Sequence, residues 1–203
     1  DKSLFTSLIT LDECNAELFQ WYYFKRTVSG TKLRDFLKTR PDEKLISSFC
    51  DYIDNFWRLF IQVFPEVKEY LEAEPQTAAS RYRDNNTGGN IIFRPVTLLQ
   101  MIKAIVYILT EDNTVTIENI LNKYCQIDRN VSGNLWDKII WNSVSKTMLV
   151  NNQILLKYLF VYIYDSSVLK EKHLKDFYQR YELVKNIDRD SVQEYLNMLI
   201  NNA

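Results

Sequence analysis

Apolar residues recur at three- and four-residue spacing along most of this 203-residue chain, and two-residue alternation is almost absent. The first spacing puts side chains on one face of an α-helix, whereas the second is typical of a half-buried β-strand. Only four glycines interrupt the pattern, and glycine disfavours a helix interior. The sequence therefore predicts an all-α fold. We expect a single irregular multi-helix domain over residues 1–203, with one Gly-rich loop and a short extended segment.

Candidate caps and prolines divide this pattern into helices. Asp12 is a candidate N-cap of the first helix, and the proline-containing run at residues 72–75 is expected to end a long helical region. Residues 91–93 are predicted to be extended because they approach Pro95, and residues 132–149 are interpreted as a helix followed by a loop. The expected helices are residues 11–28, 42–64, 65–71, 96–110, 116–124, 151–164, 169–185 and 191–200.

Composition argues against a self-contained enzyme. The chain is 46% hydrophobic and 25% charged, which is ordinary for a globular protein. Its 25 Lys and Arg residues nearly cancel its 26 Asp and Glu residues, so no global field indicates a nucleic-acid or membrane partner. One histidine and three cysteines leave few residues for metal sites or catalytic triads. We expect no catalytic residue, no cofactor and no metal.

The cysteines indicate a reducing compartment. Cys14, Cys50 and Cys125 are odd in number and far apart, which favours neither a disulfide framework nor a zinc site. No window approaches 18 consecutive apolar residues, so we expect no membrane partner. The first residues lack both an initiator Met and a signal-peptide apolar region. We therefore expect a cytoplasmic protein of which this chain is an excised or processed part.

The most unusual segment is residues 81–95, Arg-Tyr-Arg-Asp-Asn-Asn-Thr-Gly-Gly-Asn-Ile-Ile-Phe-Arg-Pro. It surrounds a Gly-Gly turn with arginines, and backbone N–H groups in such a turn can cradle an anion such as phosphate. The spacing matches neither the Walker loop nor the dinucleotide-binding fingerprint. The alternative is a tight turn beside an arginine that binds buried carbonyl or carboxylate groups and fixes the entry to the next helix. The candidate anion-binding residues are Arg81, Arg83, Gly88, Gly89 and Arg94.

A second candidate is the basic run at residues 25–44, where seven basic and three acidic residues give a local charge of +4. Such a run can track nucleic-acid phosphates, and Tyr22 and Tyr23 would add base stacking. The alternative is a solvated connection between two helices, which is the usual role of a charge run. The candidate phosphate contacts are Lys32, Arg34, Lys38 and Arg40.

The Gly-Gly-Asn-Ile-Ile-Phe-Arg-Pro-Val stretch at residues 88–96 resembles the DGQHR-domain family, whose members include the DndB proteins of DNA phosphorothioation systems. In that family a similar Gly-rich, apolar, Phe-Arg-Pro segment precedes a helix. Looser similarities follow the same order along residues 4–165, at residues 7–11, 56–66, 136–148 and 151–155.

The naming Asp-Gly-Gln-His-Arg motif of that family is absent from this chain. In the family the motif lies in an N-terminal region, upstream of a helical part. The resemblance therefore implies that this chain is the helical C-terminal portion and does not carry any activity of the motif. It also implies association with DNA in a DNA-modification, regulatory or phage-defence system of a bacterium.

The alternative function is a helical protein-interaction or scaffold module without nucleic-acid contact, which the neutral net charge favours. Its partner would be another protein or a second copy of the chain. An exposed apolar groove and a stable oligomer would support this alternative.

Overall fold

A computed structural model of the chain describes residues 4–39 and 41–201. These residues are mostly helical, which confirms the all-α prediction. The helices within them are α1 (Leu8–Phe19), α2 (Gly30–Lys38), α3 (Glu43–Val63), α4 (Pro65–Glu72), α5 (Pro75–Tyr82), α6 (Pro95–Glu111), α7 (Ile117–Cys125), α8 (Gln153–Tyr164), α9 (Glu171–Lys185) and α10 (Val192–Asn201).

Shorter elements complete the described chain. A π-helix at Gln20–Phe24 directly continues α1, and 3-10 turns occupy Ile91–Phe93, Ser166–Val168 and Arg189–Ser191. Two short antiparallel strands, β1 (Trp141–Asn142) and β2 (Thr147–Met148), pair with Trp141 opposite Met148.

Helix starts follow from local hydrogen bonding. The Asp42 carboxylate accepts the Leu45 N–H at 2.7 Å and so caps α3, and Thr116 caps α7 in the same way. Helix α1 begins earlier than expected because Ser7, not Asp12, is its N-cap, with the Ser7 hydroxyl accepting the Thr10 N–H. A polar side chain at such a position satisfies a backbone donor that the helix itself leaves unpaired.

The hydrophobic core is built around α6. Ten residues of this helix are buried, and it packs chiefly against α8 and α1. Helix α8 has eight buried residues and packs in turn against α7 and α9. Helices that are apolar on nearly all sides must be covered by other elements, which explains this central position. Among residues 4–39 and 41–201, no helix is both long enough and apolar enough to span a bilayer.

Two helices form where none was predicted. Helix α2 lies inside the basic run, where the hydroxyl of Ser29 caps it by accepting the Lys32 N–H. Helix α5 begins at Pro75, the proline that was expected to end the helical region. Proline is tolerated in the first turn because the N–H that it lacks would have no helical partner there.

Two further local predictions are wrong. Residues 91–93 form a 3-10 turn and are not extended, because the Asn90 side chain accepts the Ile92 N–H and the Asn90 carbonyl accepts the Phe93 N–H. Residues 132–149 contain turns and the β1–β2 pair, with no helix. The Asn142 side chain accepts two backbone N–H groups in the turn between the strands, which competes with helix formation.

A buried lysine links the C-terminal helices to the irregular segment before β1. Lys185, at the end of α9, is 7% exposed. Its ammonium Nζ donates to the carbonyls of Asn134 and Asp137, each at 2.7 Å. Burial lowers the pKa of Lys185 to about 8 from the usual 10.5.

This shift predicts a pH-dependent stability. Between about pH 8 and about pH 10 the folded protein binds fewer protons at Lys185 than the unfolded chain, so the free energy of unfolding rises with pH. We expect Lys185 to contribute on the order of 2 kcal/mol to that rise between about pH 7.5 and about pH 9.5. Urea denaturation of the wild type and Lys185→Met across this range measures it. Equal pH slopes in the two proteins would contradict the assignment.

Candidate nucleic-acid interface

Arg83 points into the protein and binds main-chain carbonyls. Its Nε donates to the Phe93 carbonyl at 3.0 Å, and its Nη2 donates to the Phe5 carbonyl at 2.6 Å. Burial lowers the pKa of the Arg83 guanidinium below its ordinary value. This side chain therefore connects the end of α5, the N-terminal segment and the turn before α6.

Arg94 closes the same loop from its other end. Its Nε donates to the Gly88 carbonyl at 2.7 Å and its Nη2 also donates to that oxygen. The Nη2 atom lies 3.4 Å from the Asp84 carbonyl as well. Burial lowers the pKa of Arg94 too. These contacts agree with the alternative interpretation, in which arginines bind buried carbonyls and fix the entry to α6.

Backbone N–H groups of the loop donate to acceptors within the chain. The Asp84 carboxylate accepts the N–H groups of Thr87, at 3.0 Å, and of Asn86, and these bonds lower the pKa of Asp84. The Gly89 N–H lies 3.3 Å from the Thr87 hydroxyl oxygen, and Gly88 is buried. The N–H groups of Asn86, Thr87 and Gly89 thus stabilise the loop itself.

The two glycines are required by backbone geometry. Gly88 and Gly89 have φ values of +76° and +71°, in the left-handed region that other residues rarely adopt. A Cβ atom on Gly89 would lie 2.0 Å from the Tyr82 carbonyl oxygen, which accepts the Asn90 N–H. One on Gly88 would lie 2.4 Å from Val131 Cγ1.

Of the three candidate arginines, Arg81 is the exposed one. Its side chain is 77% exposed, and its Nη1 lies 3.7 Å from a carboxylate oxygen of Glu69. A surface pair of this kind contributes little to stability. Arg81 is thus accessible to a ligand from the surface of α5, whereas Arg83 and Arg94 are partly buried below it.

The second group of candidates lies on α2. Lys32, Arg34 and Lys38 are all exposed, while Arg40 lies outside the described residues. Lys38 is 3.3 Å from the Asp35 carboxylate, and Arg34 Nε donates to the Gly30 carbonyl at the helix start. The described candidates therefore lie on one short helix and are exposed. Arg34 and Lys38, four residues apart, share a face, whereas Lys32 lies on another side of the helix.

An aromatic surface adjoins this helix. The π-helix carries four consecutive aromatic residues, and Tyr23 is 44% exposed although its ring packs on Phe36 of α2 at a centroid distance of 4.5 Å. The Lys32 ammonium lies 5.4 Å from the Phe24 ring. Sequence reasoning included Tyr23 but missed Phe24 and Phe36, because α2 itself was not predicted. We call Tyr23, Phe24, Phe36, Lys25 and Lys32 the basic-aromatic surface.

An apolar groove runs between α1, α2 and α3. It has a volume of about 230 Å³ and is lined largely by apolar side chains, among them Phe19, Leu33 and Phe49. On α1, Leu8 lies one turn from the groove and is 81% exposed. An exposed apolar groove is what we expect if the chain is a protein-interaction module.

The residues that the structure describes contain no group of three or more His, Cys, Asp or Glu side chains arranged to hold a metal ion. Comparison with protein-family models, curated proteins and solved structures found no match to this chain. The resemblance to the DGQHR-domain family thus stays a prediction from the sequence.

The arginine geometry predicts unequal effects of substitution on stability. Arg83→Ala and Arg94→Ala each leave partly buried carbonyls without their donor, and we expect each to lower the free energy of unfolding by about 2 kcal/mol or more. Arg81→Ala, on the exposed side chain, should change it by less than about 0.5 kcal/mol. Urea denaturation followed by circular dichroism measures all three. Similar values for the three variants would contradict the assigned roles.

The glycine geometry predicts a second contrast. Gly89→Ala forces a left-handed backbone and a clash with the Tyr82 carbonyl, so we expect a loss of about 2 kcal/mol or more. The matched control is Gly30→Ala at the start of α2, where no atom lies within 4 Å of the added Cβ. That control should leave stability unchanged or raise it by up to about 1 kcal/mol. Equal melting temperatures for the two variants would refute the proposed loop geometry.

Proposed function

We propose that this chain is a non-catalytic helical portion of a DGQHR/DndB-like protein and that it contributes DNA contacts through the exposed cations of α2. The observation that carries the proposal is the exposure of Lys32, Arg34 and Lys38 on one short helix. Exposed cations attract the phosphate backbone of DNA regardless of sequence. Lys25 and Arg26, which precede α2, are also exposed and add to this local positive charge.

Within this proposal the segment that carries the resemblance has a structural role. Phe93 is fully buried and stacks on the Tyr82 ring at a centroid distance of 4.3 Å. Arg94 holds the Gly88 carbonyl, and Pro95 is the first residue of α6. The residues from the Gly-Gly turn to Phe-Arg-Pro thus form a closed loop that ends where the central helix α6 begins. The DNA contacts are assigned to residues outside it.

Removal of charge from α2 should weaken DNA binding. The triple variant Lys32→Gln, Arg34→Gln, Lys38→Gln should lose phosphate contacts, so its DNA affinity should depend less on salt. The negative slope of the logarithm of the association constant against log salt should become shallower by about 0.9 for each lost duplex contact. Fluorescence anisotropy with a labelled duplex across a salt series measures this slope.

The matched control removes the same charge from exposed lysines on other helices, Lys123→Gln, Lys172→Gln and Lys175→Gln. The control should keep the wild-type slope if binding is local to α2. A folded α2 variant with the wild-type slope and affinity would overturn the proposal.

The apolar groove supports a second candidate function, a protein-interaction module. Its volume of about 230 Å³ is below the range of about 300–1,000 Å³ that is typical of small-molecule sites, so it fits side chains of a partner better than a whole ligand. A stable oligomer in sedimentation, lost on Leu8→Gln together with Ile46→Gln and unaffected by Leu183→Gln, would favour this function. All three of these side chains are exposed.

A further inference from the structure

The basic-aromatic surface arises where α1 changes to a π-helix. A π-helical turn contains more residues than an α-helical turn, and such turns are frequent at functional sites. Here the turn contains Trp21, Tyr22, Tyr23 and Phe24, and it ends at Lys25, whose φ is +53°. The chain then reverses into α2, so that aromatic residues of the π-helix meet the aromatic residue of α2.

The ring of Tyr23 packs on neighbouring rings and is still partly exposed to solvent. The ring stacks on Phe19 at a centroid distance of 5.7 Å and lies 4.5 Å from Phe36. These contacts fix the ring orientation, yet 44% of the residue remains exposed. The bases of single-stranded nucleic acids stack on exposed aromatic side chains of this kind.

Two cations lie beside other rings of the π-helix. The Lys25 ammonium lies 5.0 Å from the Trp21 ring centroid, and the Lys32 ammonium lies 5.4 Å from the Phe24 ring centroid. Both lysines are exposed. The Phe24 ring in turn lies 4.9 Å from the Tyr23 ring, and Lys25 is two residues along the chain from Tyr23. We therefore expect both cations to reach phosphates that flank a planar group stacked on Tyr23.

We infer that the basic-aromatic surface binds single-stranded DNA, with a base stacked on Tyr23 and phosphates at Lys25 and Lys32. In a duplex the faces of the bases are stacked on each other, so a ring on the protein surface reaches them only in a single strand. The inference rests on the proposed function, because it names which form of DNA the α2 region prefers.

The test compares a labelled oligothymidine of about 20 nucleotides with a duplex of the same length in anisotropy titrations at one salt concentration. We expect tighter binding of the single strand. Tyr23→Leu keeps apolar packing but removes the flat ring, and should weaken single-strand binding by about fivefold or more. Duplex affinity should change by less than about twofold. Tyr23→Phe, which keeps the ring, should bind both DNAs as the wild type does.

A second variant tests the inference without altering the packing of the Tyr23 ring. Lys25→Gln with Lys32→Gln changes only exposed side chains and should lower the single-strand salt slope by about 0.7 for each lost contact. Lys172→Gln with Lys175→Gln is its control and should leave that slope unchanged.

Tighter binding of the duplex, or equal losses for both DNAs in folded Tyr23→Leu, would overturn the inference and leave the proposed function standing. An unchanged single-strand slope in the Lys25 and Lys32 variant would also overturn it. Absence of binding to either DNA would overturn both.

Discussion

Guanidinium groups that donate to main-chain carbonyls hold together the loop on which the central helix depends. Arg83 and Arg94 bind carbonyls at Phe5, Phe93 and Gly88. The loop they close ends at the start of α6, the helix around which the core is packed. An arginine in such a position cannot be removed without leaving polar groups unpaired in a poorly solvated place.

The other side of this loop is held by a second polar network. The Asn90 amide donates to the Glu66 carboxylate at 2.9 Å, and Arg129 forms an ion pair with the same carboxylate. The Val131 N–H donates to the Gly89 carbonyl at 2.8 Å. Helix α4, the loop and the segment after α7 are thereby joined. Arg83, Arg94 and the two glycines thus have structural roles, whereas Arg81 is exposed like the cations of α2.

Much of the fold follows from the sequence because most helices combine an apolar face with a recognisable cap. The helix expected at residues 42–64 is found at Glu43–Val63, and Thr116 caps α7 as expected. Helix α2 was missed because its charged residues dominate the pattern and its apolar face becomes evident only when it packs on the π-helix.

The candidate site was harder to predict from the sequence. Residue identity reveals that Arg83 and Arg94 flank a Gly-Gly turn, but not whether a guanidinium faces solvent or a carbonyl. That direction depends on Phe5, which is 78 residues from Arg83, and on the closed path of the loop. The exposed ring of Tyr23 depends likewise on a π-helical turn, for which no simple spacing rule exists.

The central proposal is that Arg83, Arg94 and the loop between them stabilise the fold, while residues 19–38 bind nucleic acid. Hydrogen–deuterium exchange with and without saturating oligothymidine tests it directly, because backbone protection on binding reports where the ligand lies. The account predicts slower exchange in the π-helix and α2 and unchanged exchange between Arg81 and Arg94. Protection at Arg81–Arg94 with none in the π-helix or α2 would contradict it.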